Sequence, residues 1–167
     1  MPHESRLQRS LRTLVEQRRT AALAVSAIDG NAGSAPLISM VPFAWCAQFG
    51  CIVLHVSALA VHTRAMERHP AVSLLFSAPE TAGDGVHALE RVSLQGVAST
   101  LPTESVLGEG IRTAYLARFP EAGFMTELPD FRFVCITPES GRHIAGFGSA
   151  RDVTGNDFVA AMNFRPE

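Results

Sequence analysis

The stretch VSALAVHTRAMERHPAVSLLF, residues 56–76, crowds Ser57, His62, Thr63 and Arg64 into one short connection between two apolar runs. Backbone N–H groups at the start of a helix are unpaired, and the positive end of the helix dipole lies behind them. A phosphate there could accept those N–H donors, the hydroxyls of Ser57 and Thr63, and a charged contact from Arg64 or His62. The same residues also describe a capped surface helix, with Ser57 as a terminal hydroxyl and Arg64 and Glu67 in solvent. Taken by themselves they leave both readings open.

Little else in the chain announces a reaction. It has no GxxxxGK(S/T) phosphate loop, no GxGxxG after a strand, no HExxH and no GxSxG elbow. His55, His62 and His69 recur seven apart, but His55 falls on a predicted strand and the other two on a helix. They do not share one ligand face, and no metal site is expected. Cys46, Cys51 and Cys135 form no CxxC pair and fit buried, reduced thiols. Gly146-Phe147-Gly148 reads as a bulge or a close backbone approach within a strand.

The elements that must hold the connection follow from hydrophobic periodicity. Leu7, Leu11, Leu14 and Val15 fall at helical spacing over residues 5–19, with Ser5 as N-cap. Residues 20–29 form a small-residue strand, stopped by the turn signal Asp29-Gly30-Asn31. Residues 36–45 form the second arm of a hairpin, and Pro42 marks it as an edge or a bulge. Strands follow at 50–57 and 71–78, separated by a helix that ends at His69-Pro70. Residues 90–101 alternate as a half-buried strand. A second helix covers 103–118, with Thr103 as cap and Val106, Ile111, Tyr115 and Leu116 on its apolar side. Residues 131–138 and 142–150 read as two closing strands around a turn at 139–141, and the chain after 155 carries no clear pattern. Single helices between six or seven strands predict a mainly β fold, an antiparallel barrel with flanking helices, rather than a doubly wound sheet.

Composition bounds the rest. A chain of 167 residues with 47% hydrophobic and 18% charged residues is expected to form a single domain over 1–167. A net charge of −2 gives no basic footprint for nucleic acid. No apolar run approaches the ~18 residues of a membrane span, and the polar, basic N-terminus lacks a signal core, so a cytoplasmic protein is expected.

The order of these pieces resembles the FMN-binding split-barrel superfamily, the pyridoxamine 5′-phosphate oxidase-like flavoproteins, and within it the haem-utilisation branch. SMVPFAW (39–45), the S-x-L-A-x-H-T-R core of residues 57–64, RVSLQGVAS (91–99) and ESGRHIAGFGSA (139–150) carry the likeness, which covers about residues 8–155. The resemblance implies a six-stranded antiparallel split barrel, a homodimer, and FMN in clefts at the subunit interface. It places the flavin phosphate on Ser57, Leu59, His62, Thr63 and Arg64, lines the ring with Ser39, Met40 and Val41, and lets Gln95 reach the cofactor. Arg142 and His143 become candidate ring or substrate contacts, and no catalytic residue is assigned. Ala65 stands where the family often has Asn, and His62-Thr63 replaces the Arg-Lys pair common in the true oxidases. No residue set for gripping pyridoxal phosphate is evident. The implied function is an FMN-dependent oxidoreductase acting on a small-molecule substrate. The alternative is a non-catalytic flavin- or haem-binding protein for haem utilisation, storage or sensing. Haem-utilisation relatives often carry a further C-terminal segment that helps bind haem, and the end of this sequence at Glu167 ranks flavin ahead of haem.

Overall fold

The computed structural model describes residues 4–27, 35–100 and 106–165. The first helix, α1 (Arg6–Gln17), starts where expected: Ser5 accepts from the Gln8 N–H and Gln8 returns a bond to the Ser5 N–H, a reciprocal capping box. It buries Leu11, Leu14 and Val15. The hairpin follows as β1 (Thr20–Val25) and β2 (Leu37–Pro42), in register from Thr20–Pro42 to Val25–Leu37. Its predicted turn at Asp29-Gly30-Asn31 lies outside the described residues. Pro42 ends β2 on the edge of the sheet, where no neighbour needs the missing N–H. The predicted strand 36–45 therefore divides there, and Ala44–Cys46 forms a separate β3 that pairs with β4 (Cys51–Ser57) instead.

After β4 come α2 (Val61–Arg68), β5 (Ala71–Ser77), β6 (Arg91–Thr100) and α3 (Val106–Arg118). The cap predicted at Thr103 and the Val106 side chain lie outside the described residues, whereas Ile111 and Tyr115 are buried as expected. A 3₁₀ turn over Pro120–Glu127 leads into β7 (Phe131–Ile144), β8 (Ala150–Thr154) and α4 (Gly155–Asn163). Two expectations fail here. The turn placed at 139–141 does not exist, because β7 runs straight through it. Gly141 passes close to Ser93: a Cβ there would meet the Ser93 carbonyl at 2.6 Å. The chain reverses instead at Gly146-Phe147-Gly148, where both glycines have positive φ, so this segment is a hairpin turn and not a bulge. Beyond 155, Thr154 caps α4 through a capping box with Asp157.

The sheet is antiparallel and runs β2-β1-β5-β6-β7-β4-β3. Eight strands are present among the described residues, against six or seven read from the pattern and six implied by the resemblance. The predicted strand 36–45 divides into β2 and β3, and one edge of the long β7 serves β4 over 131–136 and β8 over 140–144. A register shift at Gln95/Gly96 bends β6. Gly96 is needed there, as a Cβ would stand 2.5 Å from the Thr137 carbonyl oxygen. The curled sheet is mainly β with flanking helices, as a split barrel requires. Its inner side holds a core of α1, α2 and α4 against Leu23, Leu54, Leu74 and Leu94. A smaller cluster packs α3 over β3, β4 and β7. Between them β4 is buried on both faces, which explains its unbroken apolar run.

Candidate functional site

Alternation along β2 divides the predicted site between two faces of the sheet. Val41 is buried and Ser39 half-buried on the inner side, in line with Leu23 and Leu74. Ile38 and Met40 point outward and are 72% and 73% exposed. Gln95 lies on the outer side three strands away, where its Oε1 accepts from the Ser140 hydroxyl at 2.7 Å. The structure thus brings Ser39 together with the β4–α2 connection and sets Met40 and Gln95 on the opposite face.

Within that connection the side chains hold one another. Thr63 is buried and donates its hydroxyl to the Ser57 carbonyl at 2.7 Å. Ser57 Oγ accepts from the Leu59 N–H at 3.1 Å and lies 3.4 Å from the Asp130 carboxylate. The Ala58 N–H donates to the Asp130 carbonyl. Leu59 is 75% exposed, and Arg64 is exposed with no ion pair among the described residues. Ala65, in the place of the family's Asn, is fully buried in the main core, where an amide would lack water.

His62 is the chemically open member. Its Nδ1 lies 3.1 Å from Ser39 Oγ, whereas Nε2 is buried and has no partner. Burial lowers its pKa below the ordinary histidine value, so the ring is neutral at pH 7. His55 is neutral for the same reason, but it is enclosed by Tyr115, Phe131 and Phe133. His143 is fully buried, with Nε2 2.9 Å from Glu90, and Ser10 also donates to that carboxylate. Arg142 pairs with Asp152 at 2.7 Å on the surface. No group of three or more metal-ligating side chains occurs among the described residues. No helix among them is long and apolar enough to cross a membrane.

The outer face carries Met40 and Gln95, which were expected at the site, and Ile38, Leu75 and Val97, which sequence reasoning missed. Among the described residues no helix covers the outside of β2, β1, β5 and β6, which shows Ile38, Met40, Leu75 and Val97 beside small side chains. A cleft of about 410 Å³ opens on it, lined by Ala24, Pro36, Ser73, Gln95 and Ser140 among others. The signal was present in LISMVP, which is apolar on both faces of an edge strand.

The family described as Pyridoxamine 5′-phosphate oxidase matches residues 7–145. The chain belongs to the pyridoxamine 5′-phosphate oxidase family. Within that family it stands on the haem-utilisation branch. It is 31% identical over 157 residues to Heme oxygenase HutZ of Vibrio cholerae, covering 93% of this chain and 86% of that protein. It is 36% identical over 115 residues to Non-canonical heme oxygenase HOZ, chloroplastic, of Arabidopsis thaliana, covering 69% of this chain and 33% of that one. A solved heme binding protein from Mycobacterium smegmatis superposes with a TM-score of 0.80 at 26% identity, over 95% of this chain and 62% of the other. The chain therefore spans a third of the Arabidopsis protein and less than two thirds of the mycobacterial one.

These family relatives overturn the expectation of FMN, because their names specify haem and not flavin. The connection shows a physical reason. The Thr63 hydroxyl is spent on the Ser57 carbonyl, and the Asp130 carboxylate beside Ser57 would repel a phosphate. The FMN-dependent oxidoreductase reading falls with its cofactor.

Proposed function

We propose that the protein binds haem at the β2–α2 corner and serves haem utilisation, with haem as the substrate of an oxygenase reaction. The observation that carries this reading is the one unspent imidazole nitrogen, on His62, held beside the edge strand β2 by Ser39. Haem is a flat apolar slab with two carboxylates and an iron that takes a neutral imidazole. Ile38 and Met40, 72% and 73% exposed in the protomer, lie on the other face of β2 from His62 and would supply an apolar wall to the haem of a second copy packed against that face. His62 supplies the nitrogen: when Nδ1–H donates to Ser39, the lone pair is left on the buried, unpartnered Nε2, which ligation would turn outward to the iron. Arg64 is exposed nearby on α2 and suits a propionate. His62 and Arg64 are the residues that would hold the group within one protomer.

When bound, haem brings the iron at which dioxygen chemistry occurs. The chain's own part is to orient the imidazole through Ser39, pair a carboxylate with Arg64, and shield the haem of a second copy from water with Ile38 and Met40. Two relatives named as haem oxygenases, one of them matched along nearly the whole chain, support the reaction class.

We further propose a homodimer through the uncovered outer face of β1, β5 and β6. Leu75 and Val97, 42% and 36% exposed, would be buried there around the Gln95–Ser140 pair. The test is titration with ferric haem, read by a shifted Soret band and by stoichiometry per protomer. A one-to-one complex that loses the Soret band on adding ascorbate in air supports the reading. A protein that leaves the spectrum of free haem unchanged defeats it.

A further inference from the structure

A second cleft, of about 260 Å³, opens between α1, α3, α4 and β3. Its walls include Phe43, Trp45, Ala114 and Met162, and Arg118 and Arg165 also line it. Part of each guanidinium is committed. Arg118 Nη2 donates to the carbonyls of Glu16 and Arg18, and so closes the end of α1. Arg165 Nη1 donates to the carbonyls of Met162 and Phe164. Capping does not account for the rest of Arg118. Its Nε is buried without a partner among the described residues, and a desolvated donor left unmade is costly.

Charge around Arg118 is also uneven. Burial disfavours its cation, the like charge of Arg19 adds to this, and Glu16 opposes it. Glu16 lines the cleft, but its carboxylate already accepts from Arg12 at 3.2 Å. The indole N–H of Trp45 is spent on Asn163 at 2.9 Å, so its ring offers only an apolar surface. Two arginines among the lining of a small cavity, with apolar and aromatic walls, describe a receptor for an amphipathic anion. The volume lies below the several hundred Å³ of drug-sized ligand sites and selects a molecule of one ring.

We infer that this cleft binds a small aromatic monocarboxylate, its carboxylate on Arg118 and Arg165 and its ring against Trp45 and Met162. A guanidinium presents donors in a fork that matches a carboxylate, and the bound anion would offset the like charge that Arg19 places beside Arg118. The site is separate from the β2–α2 corner and does not depend on haem.

Trp45 is the chain's one tryptophan, so indole fluorescence reports on the cleft directly. The experiment titrates the full chain with benzoate, and with benzyl alcohol and inorganic phosphate as neutral and ringless probes. A saturable change with benzoate that exceeds both controls is expected. Arg118→Gln and Arg165→Gln should each weaken it about tenfold or more, the size of a lost charge-assisted hydrogen bond. Should Arg118→Gln unfold the end of α1, Arg165→Gln, on an exposed side chain, keeps the test open. No saturable change, equal responses to benzyl alcohol or phosphate, or wild-type affinity in Arg165→Gln would overturn the assignment.

Discussion

Truncating Met40 to alanine separates a ligand wall from a structural residue. In the protomer the Met40 side chain is 73% exposed, so it contributes little to the folded core. Burying a methionine fully is worth about 1.5–3 kcal/mol relative to leaving it in water. Roughly three quarters of that remains available to whatever covers β2, or about 1–2 kcal/mol. Met40→Ala should therefore weaken haem binding about 5- to 30-fold. Its effect on unfolding should stay within about 0.5 kcal/mol, as for a surface change. Alanine keeps the outer face apolar and the β1–β2 register intact, with Ala22 opposite. The assay is ferric haem titration by Soret absorbance, paired with urea unfolding of the haem-free protein. Wild-type affinity in the variant, or a stability loss above about 1 kcal/mol with no loss of affinity, would refute the placement.

Two further outcomes test the frame that holds this wall. His55 and His62 both have pKa values lowered by burial, so the unfolded chain binds more protons than the folded one below about pH 6.5, and stability should fall with acid through that window. His55→Phe, which keeps an aromatic ring among Tyr115, Phe131 and Phe133, should flatten urea midpoints between pH 7 and pH 5; an unchanged slope would count against it. Gly96→Ala should cost about 1–3 kcal/mol, because its Cβ would crowd the Thr137 carbonyl at 2.5 Å and Ile136 at 2.9 Å. A thermal midpoint equal to wild type would show that β6 yields at its bulge.

Much of the fold is legible in the sequence because its cues are local. Ser5 before Leu7, Leu11 and Leu14 marks α1, and the alternation of residues 91–100 marks β6. The errors arise where tertiary contacts decide. Ser140 and Gly141 resemble a turn, yet β6 on one side and β8 on the other hold them in an extended strand. Gly146 and Gly148 make the actual turn with positive φ, which residue type permits but does not fix. Helix α4 was missed because its polar start, Thr154-Gly155-Asn156-Asp157, resembles a loop, while its apolar Phe158, Ala161 and Met162 need α1 and β7 to bury them.

The candidate site was legible only in part. The sequence brings forward the polar residues of SALAVHTR, and two of those hydroxyls prove to be occupied within the connection itself. That Ser39 meets His62 across 23 positions follows from the edge position of β2, which no local pattern encodes. The outer pair Ile38 and Met40 was visible as apolar residues, but its exposure depends on which face the helices leave bare.

The most direct test of the haem reading is a ferric haem titration of the wild-type protein beside His62→Ala, read by Soret absorbance and electron paramagnetic resonance. The account predicts a one-to-one complex with the signature of imidazole-ligated iron in the wild type, and loss of that signature in His62→Ala. Spectra of free haem for the wild type, or an unchanged imidazole signature in His62→Ala, would contradict it.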